Sequence, residues 1–240
     1  MFVVSYQFFA HRDGEAPRSP WLAMVFIGGV FIVFFVFFAV RGRGTNRLSI
    51  EGSSLLSSGR SYQALEKFQL ALKAAPRSTV IRHNIAIANL HLWRVNEAAE
   101  SLRVSANHAG QLGLQDIRAI SRPMLALAEA LQGRRDLSEQ TLKALDPATS
   151  ANSPYALLAQ CVTACRTGNW ATAEAMVNRP EVYQFGGFFR AVSEVLGAWA
   201  AYQLRGENLR FNRVALYSEA GPDALRKVWP ELADFAERSA

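Results

Sequence analysis

Two histidines and two cysteines are the residues in this sequence whose spacing could support metal binding or redox chemistry. His83 and His91 are eight residues apart, about two turns along one helix face, and no third ligand accompanies them. Cys161 and Cys165 are four residues apart in a helical pattern, which is a poor geometry for a disulfide. A structural zinc site needs a full tetrahedral set of ligands. We therefore expect these side chains to be packing or surface residues, and we expect no metal and no cofactor.

The motifs of the common enzyme classes are missing from the sequence. It has no glycine-rich phosphate loop followed by lysine, no serine in a nucleophile-elbow context and no carboxylate pair beside a base. The sequence therefore predicts that the protein is not an enzyme.

Positive charge is concentrated in one part of the chain. Of the formal net charge of +6, residues 41–78 account for +5, because they hold seven Arg or Lys against two Glu. A basic segment beside an apolar stretch favours contact with anionic lipid headgroups. No basic face continues into the later helices, so we expect no nucleic-acid partner.

An uncharged apolar stretch precedes this basic segment. Residues 21–40 carry no charge and, at about 1.5 Å per residue in a helix, would cover about 30 Å, the thickness of a bilayer core. The stretch predicts a transmembrane helix, preceded by a tail at 1–20. A buried core helix and a cleaved signal peptide are the alternatives. The signal peptide is disfavoured because its polar lead is long and residues 38–41 lack a small-x-small cleavage site.

The orientation of this anchor is predicted from the arginines on its two sides. Arg41, Arg43 and Arg47 follow the stretch and would meet lipid headgroups, whereas Arg12 and Arg18 precede it. The positive-inside rule therefore slightly favours a cytoplasmic C-terminal domain over a periplasmic one. The one uncharged stretch predicts a single pass through the membrane. Arginine outnumbers lysine, which is typical of GC-rich bacterial genomes, so we expect this membrane to be a bacterial inner membrane.

Helical spacing dominates the sequence after residue 45, and it recurs. Positions in a first unit have counterparts 34 residues later: Gly52, Ala64, Phe68 and Ala71 are matched by Ala86, Ala98, Leu102 and Ser105. A third and a fourth unit are marked by Gly133, Ser138, Leu142 and Pro147, and by Gly168, Ala173 and Val177. The step from Ala98 to Ser138 is 40, and the glycines within residues 110–120 predict a longer loop there.

The repeat decays after Pro180. We expect a break at residues 184–189 and then a helix pair over 191–205 and 208–218. A last helix is predicted over 222–238, with a kink or break at Trp229-Pro230.

The period of 34 and the spacing of small, large and turn residues resemble the tetratricopeptide repeat (TPR) family. The resemblance implies an all-α fold, an α-solenoid of helical hairpins over residues 41–180. Residues 181–240 would then form a degenerate repeat and a C-terminal capping helix.

The resemblance also implies a concave groove that binds protein segments, lined by the first helix of each hairpin. By helical phase the candidate groove residues include Ser49, Ser53, His83, Ile87, His91, Tyr155, Leu158 and Val162, and the resemblance adds Asn84. Asn84 matches one amide of the carboxylate clamp found in some family members, but Ser49, Ser53, Ile120 and Met124 replace the clamp's other expected residues. A mixed to apolar groove favours a helix or an apolar segment as the ligand.

The predicted function is a membrane-anchored scaffold that binds protein partners and helps to assemble a membrane complex. Two alternatives remain open. One is a periplasmic, chaperone-like protein at the secretion machinery, and the other is a structural subunit of a large membrane complex.

Overall fold

The computed structural model describes residues 44–239, and within them the fold is all-α, as the sequence predicts. From Thr45 onward the chain forms one compact unit. The tail predicted at 1–20, the membrane span predicted at 21–40, and Arg41 and Arg43 lie outside the described residues. No helix in the described part combines the length and apolar character needed to cross a bilayer.

The helices follow one another with short connections. The first group is α1 (44–57), α2 (Ser61–Ala74), α3 (Thr79–His91), α4 (Val95–Gln111), α5 (Gln115–Leu131) and α6 (Arg135–Lys143). The second group is α7 (Pro147–Asn152), α8 (Pro154–Arg166), α9 (Trp170–Val177), α10 (Gly187–Arg205), α11 (Arg213–Tyr217), α12 (Pro222–Val228) and α13 (Pro230–Arg238). Short 3-10 turns at Val182–Gln184 and Ser218–Ala220 precede α10 and follow α11.

One backbone geometry recurs at the turns that begin α2, α4, α6 and α9. The residues just before these helices have φ of −86° or −85° and ψ from 65° to 71°: Arg60, Arg94, Arg134 and Asn169. Each of them follows a residue with positive φ: Gly59, Trp93, Gly133 and Gly168. Because such short turns return the chain alongside itself, α1–α2, α3–α4, α5–α6 and α8–α9 form antiparallel hairpins. The first helices of successive hairpins also touch, since α5 packs against α3 and α8.

The core lies between the hairpins, at the positions that recur in the sequence. Ala64, Ala98, Ser138 and Ala173 are all completely buried. A Cβ added at Gly52 would lie 2.6 Å from the ring of Phe68, so only glycine permits α1 and α2 to approach this closely. Each fully buried large side chain stabilises the fold by about 1.5–3 kcal/mol before chain entropy is subtracted.

The expected long loop within residues 110–120 is wrong. Helix α4 ends at Gln111 and α5 begins at Gln115, and the inserted residues lengthen both helices to 17 residues, compared with 14 in α2 and 13 in α3. The physical reason is burial, because Ala106 and Ala109 extend the packed face of α4. Continuing the helix also satisfies the backbone hydrogen bonds that a loop would leave to solvent.

The C-terminal helices differ from the prediction in one place and agree with it in another. Helix α10 ends at Arg205, as predicted, but the next helix is only Arg213–Tyr217, because Asn212 Oδ1 accepts a hydrogen bond from Ala215 N at 3.0 Å and caps the helix late. The single helix predicted over 222–238 is divided into α12 and α13 at Trp229, where Pro230 begins a new helix, so the predicted break is confirmed.

The chain returns to its first hairpins after α11. The turn Ser218–Ala220 packs against α2 and α3, and Trp93 Nε1 donates a hydrogen bond to the Leu216 carbonyl at 2.9 Å. Helix α13 then packs onto α10, where Trp199 contacts the rings of Trp229 and Phe235. A terminal cap would touch only the hairpin before it, whereas this segment joins the two ends of the unit.

Candidate partner-binding surface

Three of the predicted groove residues belong to the core. Leu158 and Val162 are completely buried and His83 is 9 % exposed, so none of the three lines an open surface. For Leu158 and Val162 the reason lies in tertiary packing, because α8 is enclosed by α5, α9 and α10. Helical phase predicts which face a residue occupies, but it does not show whether a later helix covers that face.

His83 takes part in a buried polar cluster between three helices. Its Nδ1 lies 2.9 Å from Ser121 Oγ, and Ser105 Oγ lies 3.3 Å from the same hydroxyl while donating to the Thr79 carbonyl at 3.0 Å. Burial lowers the pKa of His83 to about 4, so the imidazole is neutral near pH 7. Ser105 and Ser121 are completely buried. This cluster of one histidine and two serines therefore links α3, α4 and α5 and has no opening to a substrate.

His91 and Tyr155 are covered by an aromatic cluster at the start of α10. The His91 ring lies 4.8 Å from the ring of Phe188 and 5.6 Å from that of Phe189, and Tyr155 lies 5.1 Å from Phe185, measured between ring centroids. Burial lowers the pKa of His91 to about 4 and raises the pKa of Tyr155. The chain itself therefore fills the predicted groove at His91 and covers one side of Tyr155.

This covering segment has a sequence signal beyond the break in the repeat. Gly187 has a positive φ of 53° and lets the chain turn sharply into α10, which places Phe188 and Phe189 at its first turn. Both phenylalanines are buried. Large apolar side chains are usually buried, so two phenylalanines directly after a break indicate that this segment packs against another helix.

The remaining predicted groove residues keep some accessibility. Ser53 is exposed, and its hydroxyl donates to the Ser49 carbonyl at 3.0 Å within α1. Asn84 and Ile87 are half-buried on α3, and Ile87 packs against the core. The structure therefore separates the nine predicted residues into buried, covered and partly open sets.

An open cleft lies beside the covered face. It has a volume of about 580 Å³ and is formed by residues of α5, α7 and the start of α8: Ala119, Ile120, Ala148, Thr149, Asn152, Ser153, Pro154 and Tyr155. Ile120 is 45 % exposed, so a large apolar side chain faces solvent at this cleft. Tyr155 is the predicted groove residue that lines it.

The wall of the cleft that α7 supplies is held by a local cap. Asp146 precedes α7, and its Oδ1 accepts a hydrogen bond from Thr149 N at 2.8 Å. Hydrogen bonds from the Thr149 hydroxyl and amide lower the pKa of Asp146. Pro147 and Pro154 occupy the first positions of α7 and α8, where a missing N–H costs nothing, so both helix starts are sharply defined.

The cysteines are free and buried, as packing residues would be. Cys161 Sγ donates to the Ala173 carbonyl at 3.6 Å, and its hydrogen bond with Cys165, together with burial, raises the pKa of Cys161. In the part of the chain that the structure describes, no three His, Cys, Asp or Glu residues are grouped so that they could hold a metal ion.

Comparison with known proteins gives no family for this chain. No protein-family model matches it. The search of curated proteins gives no match, and neither does the search of solved structures.

Proposed function

We propose that this chain is a TPR-like helical-repeat module, an α-solenoid that binds protein partners and is carried on a membrane anchor. The observation that carries the proposal is the coincidence of sequence period and packing. Residues 34 positions apart occupy equivalent sites in successive hairpins and are completely buried, as Ala64 and Ala98 or Phe68 and Leu102 show. A module of this type presents surfaces between helices and binds through shape and apolar contact.

The cleft at Ile120 is the proposed partner surface. Its lining is mainly apolar with hydroxyl and amide groups at one side, which suits a helix or an apolar segment with few charges. Ile120 and Met124 stand where a carboxylate clamp would have basic residues, and Met124 is completely buried. A partner that ends in a free carboxylate would therefore find no cation at these two positions.

The Ile120→Arg variant tests the cleft, because it places a charge on a solvent-exposed apolar contact. We expect recovery of the specific partners from native membranes, measured by quantitative mass spectrometry, to fall about tenfold or more. The matched control is Leu137→Arg, since Leu137 is 40 % exposed on α6 and does not line the cleft. Partner recovery that is equal in both variants and in the unchanged protein would refute the cleft.

The membrane part of the proposal rests on the uncharged residues 21–40 and on the arginines that follow them. Arg47 is the one of the three flanking arginines within the described residues, and its guanidinium pairs with Glu51 at 2.8 Å on the surface of α1. Such exposed pairs contribute little to stability, so Arg47 can exchange this partner for a lipid phosphate. Deletion of 21–40 should move the protein from the membrane pellet to the supernatant.

Orientation is tested by reporter fusions after residue 240. Activity of a cytoplasmic reporter supports a cytoplasmic domain, and activity of a periplasmic reporter supports the chaperone-like alternative.

A structural subunit is the second candidate function. The observation that favours it is the coverage of His91 by Phe188 and Phe189, which leaves no room for a ligand at this part of the predicted groove. Purification from detergent distinguishes the two functions. A fixed stoichiometric complex that survives Ile120→Arg supports a structural subunit, whereas loss of partners supports the scaffold.

A further inference from the structure

The N-terminus of α2 is capped from the far end of the chain. Arg60 precedes the helix without a side-chain cap, and no acidic residue lies in the first turn. Instead, Tyr62 N donates a hydrogen bond at 2.8 Å to Glu219 Oε2, which is 157 residues further along the sequence. A carboxylate is favoured at this position by the partial positive charge of the helix N-terminus.

A second contact from the same segment holds Trp93. This residue has a φ of 55° at the turn position where other hairpins have Gly59, Gly133 and Gly168. A side chain is disfavoured in this backbone region. The Trp93 indole is nevertheless buried, packs against Phe188 and donates to the Leu216 carbonyl at 2.9 Å. The contact with Leu216 gives a physical reason for tryptophan at a glycine position.

Two arginines lie near the N-terminus of α2. The Arg94 guanidinium lies 5.3 Å from the centre of the Tyr62 ring, and Arg60 directly precedes α2. The contact of Glu219 itself is with the helix N-terminus, whose partial positive charge favours a carboxylate.

The segment that supplies Leu216 and Glu219 is open at its start and held further along. Residues 202–210 are exposed, and residues 206–212 form no helix. The segment is bounded by Gly206 and Gly221, which have positive φ of 71° and 75°. Within it, Leu216 is completely buried, the Phe211 ring stacks on that of Phe235, and Asn212 N donates a hydrogen bond to Glu194 Oε2 at 3.4 Å.

We propose that residues 206–221 form a releasable strap that pivots at its two terminal glycines. In the closed state Glu219 caps α2 and the Leu216 carbonyl accepts from Trp93. Release exposes the apolar site that Leu216 occupies and the backbone amides at the N-terminus of α2. The hairpins stay folded. The strap is separate from the Ile120 cleft, so this inference does not depend on the proposed function.

Limited trypsin digestion of the full-length protein tests the strap at Arg210, which lies three residues before α11. A protease must hold several residues on both sides of the bond in an extended form, so cleavage after Arg210 requires the start of α11 to be released, and its rate reports the open population. The Glu219→Gln variant keeps the shape of this side chain and removes its charge. We expect cleavage after Arg210 to become about three- to tenfold faster, as the loss of one partly exposed charge-assisted hydrogen bond would give. Trp93→Phe, which removes the indole donor, should act in the same direction.

The matched control is Glu97→Gln, since Glu97 is an exposed acid in the first turn of α4 and lies outside the strap. This variant should leave the rate after Arg210 unchanged. Cleavage after Lys143, at the end of α6, serves as an internal reference for general unfolding. The strap is refuted if Glu219→Gln and Trp93→Phe both leave the rate of cleavage after Arg210 unchanged. It is also refuted if cleavage after Lys143 rises by the same factor, because the segment would then open only when the whole unit unfolds.

Discussion

The hairpins from α1 to α6 and the segment after α10 are built in different ways. The hairpin turns repeat one geometry, so Arg60, Arg94 and Arg134 have nearly identical backbone angles. After Gly206 no turn repeats another, and the helices shorten to the five residues of α11 and the seven of α12. The hairpins are held mainly by neighbours in sequence, whereas the last segment is held by contacts with α2, α3 and α10.

The difference shows how a helical array can be closed by a segment that does not repeat. Apolar faces at the ends of an array must be covered. Here, α13 packs onto α10, and Arg166 joins the regions, since its Nη2 donates to the Leu131 carbonyl at 2.6 Å and to the Val228 carbonyl at 3.2 Å. The same guanidinium lies 4.1 Å from the centre of the Trp229 ring. We therefore expect the C-terminal helices α12 and α13 to unfold together with the hairpins.

The largest expected effect comes from removing one buried ring in each region. Phe68 is completely buried in the hairpins and Phe235 is 3 % exposed in α13. Phe68→Ala and Phe235→Ala should each lower the free energy of unfolding by about 3–5 kcal/mol, because each leaves a cavity. Urea unfolding followed by circular dichroism should show a single transition in both variants.

The control for these variants is Tyr183→Ala, because Tyr183 is 54 % exposed, and its effect should stay within about 0.5 kcal/mol. Two separate transitions in Phe235→Ala would contradict the comparison, since the C-terminal segment would then be an independent unit.

The second prediction concerns acid, which should weaken the protein through its buried histidines. Burial lowers the pKa of His83 and of His91 from an ordinary value of 6.5 to about 4. Between these values the unfolded chain binds protons and the native chain does not. The stabilising contribution is therefore complete above pH 6.5 and is lost as the pH falls towards 4. Each histidine should contribute a slope of about 1.4 kcal/mol per pH unit within this window.

Urea unfolding at pH 7, 6 and 5 measures this slope. His83 lies among the hairpins, whereas His91 touches the start of α10, so His83→Gln and His91→Gln separate the two contributions. Each variant should remove about half of the pH dependence, whatever its effect at pH 7. A slope that neither substitution changes would assign acid sensitivity to other groups.

The smallest expected effect comes from replacing a glycine that has a positive φ in each region. Gly59 and Gly206 have φ of 79° and 71°, and an added Cβ would meet no atom within 4 Å at either position. Gly59→Ala and Gly206→Ala should therefore each lower the free energy of unfolding by about 1 kcal/mol, through backbone strain alone.

Gly110→Ala is the control with the opposite sign. Gly110 lies inside α4, where the nearest atom would be 3.9 Å from the new Cβ. Alanine should stabilise this helix by about 0.5–1 kcal/mol, because glycine loses more chain entropy on folding. A smaller loss at Gly206 than at Gly59 would mean that the strap contributes little to the native state.

Parts of the fold were predictable because their signals are local. Small residues such as Ala64 and Ala98 recur at one period, and Pro154 and Trp229-Pro230 mark a helix start and a break that the structure has. The long loop predicted within 110–120 was wrong because Gly110 is tolerated inside a helix whose other face is buried. Of the candidate site, Tyr155 lies at an open cleft, whereas Leu158 and Val162 lie in the core.

The sequence alone determined that the described part is helical and which residues recur at its buried positions. These properties depend on the period of apolar residues and on chain-breaking residues, which act within a few positions of one another. Only the tertiary structure decided that Phe188 and Phe189 cover His91, that Glu219 caps α2 and that an open cleft remains at Ile120. These contacts join residues far apart in the chain, and their formation depends on how whole helices pack rather than on any local spacing.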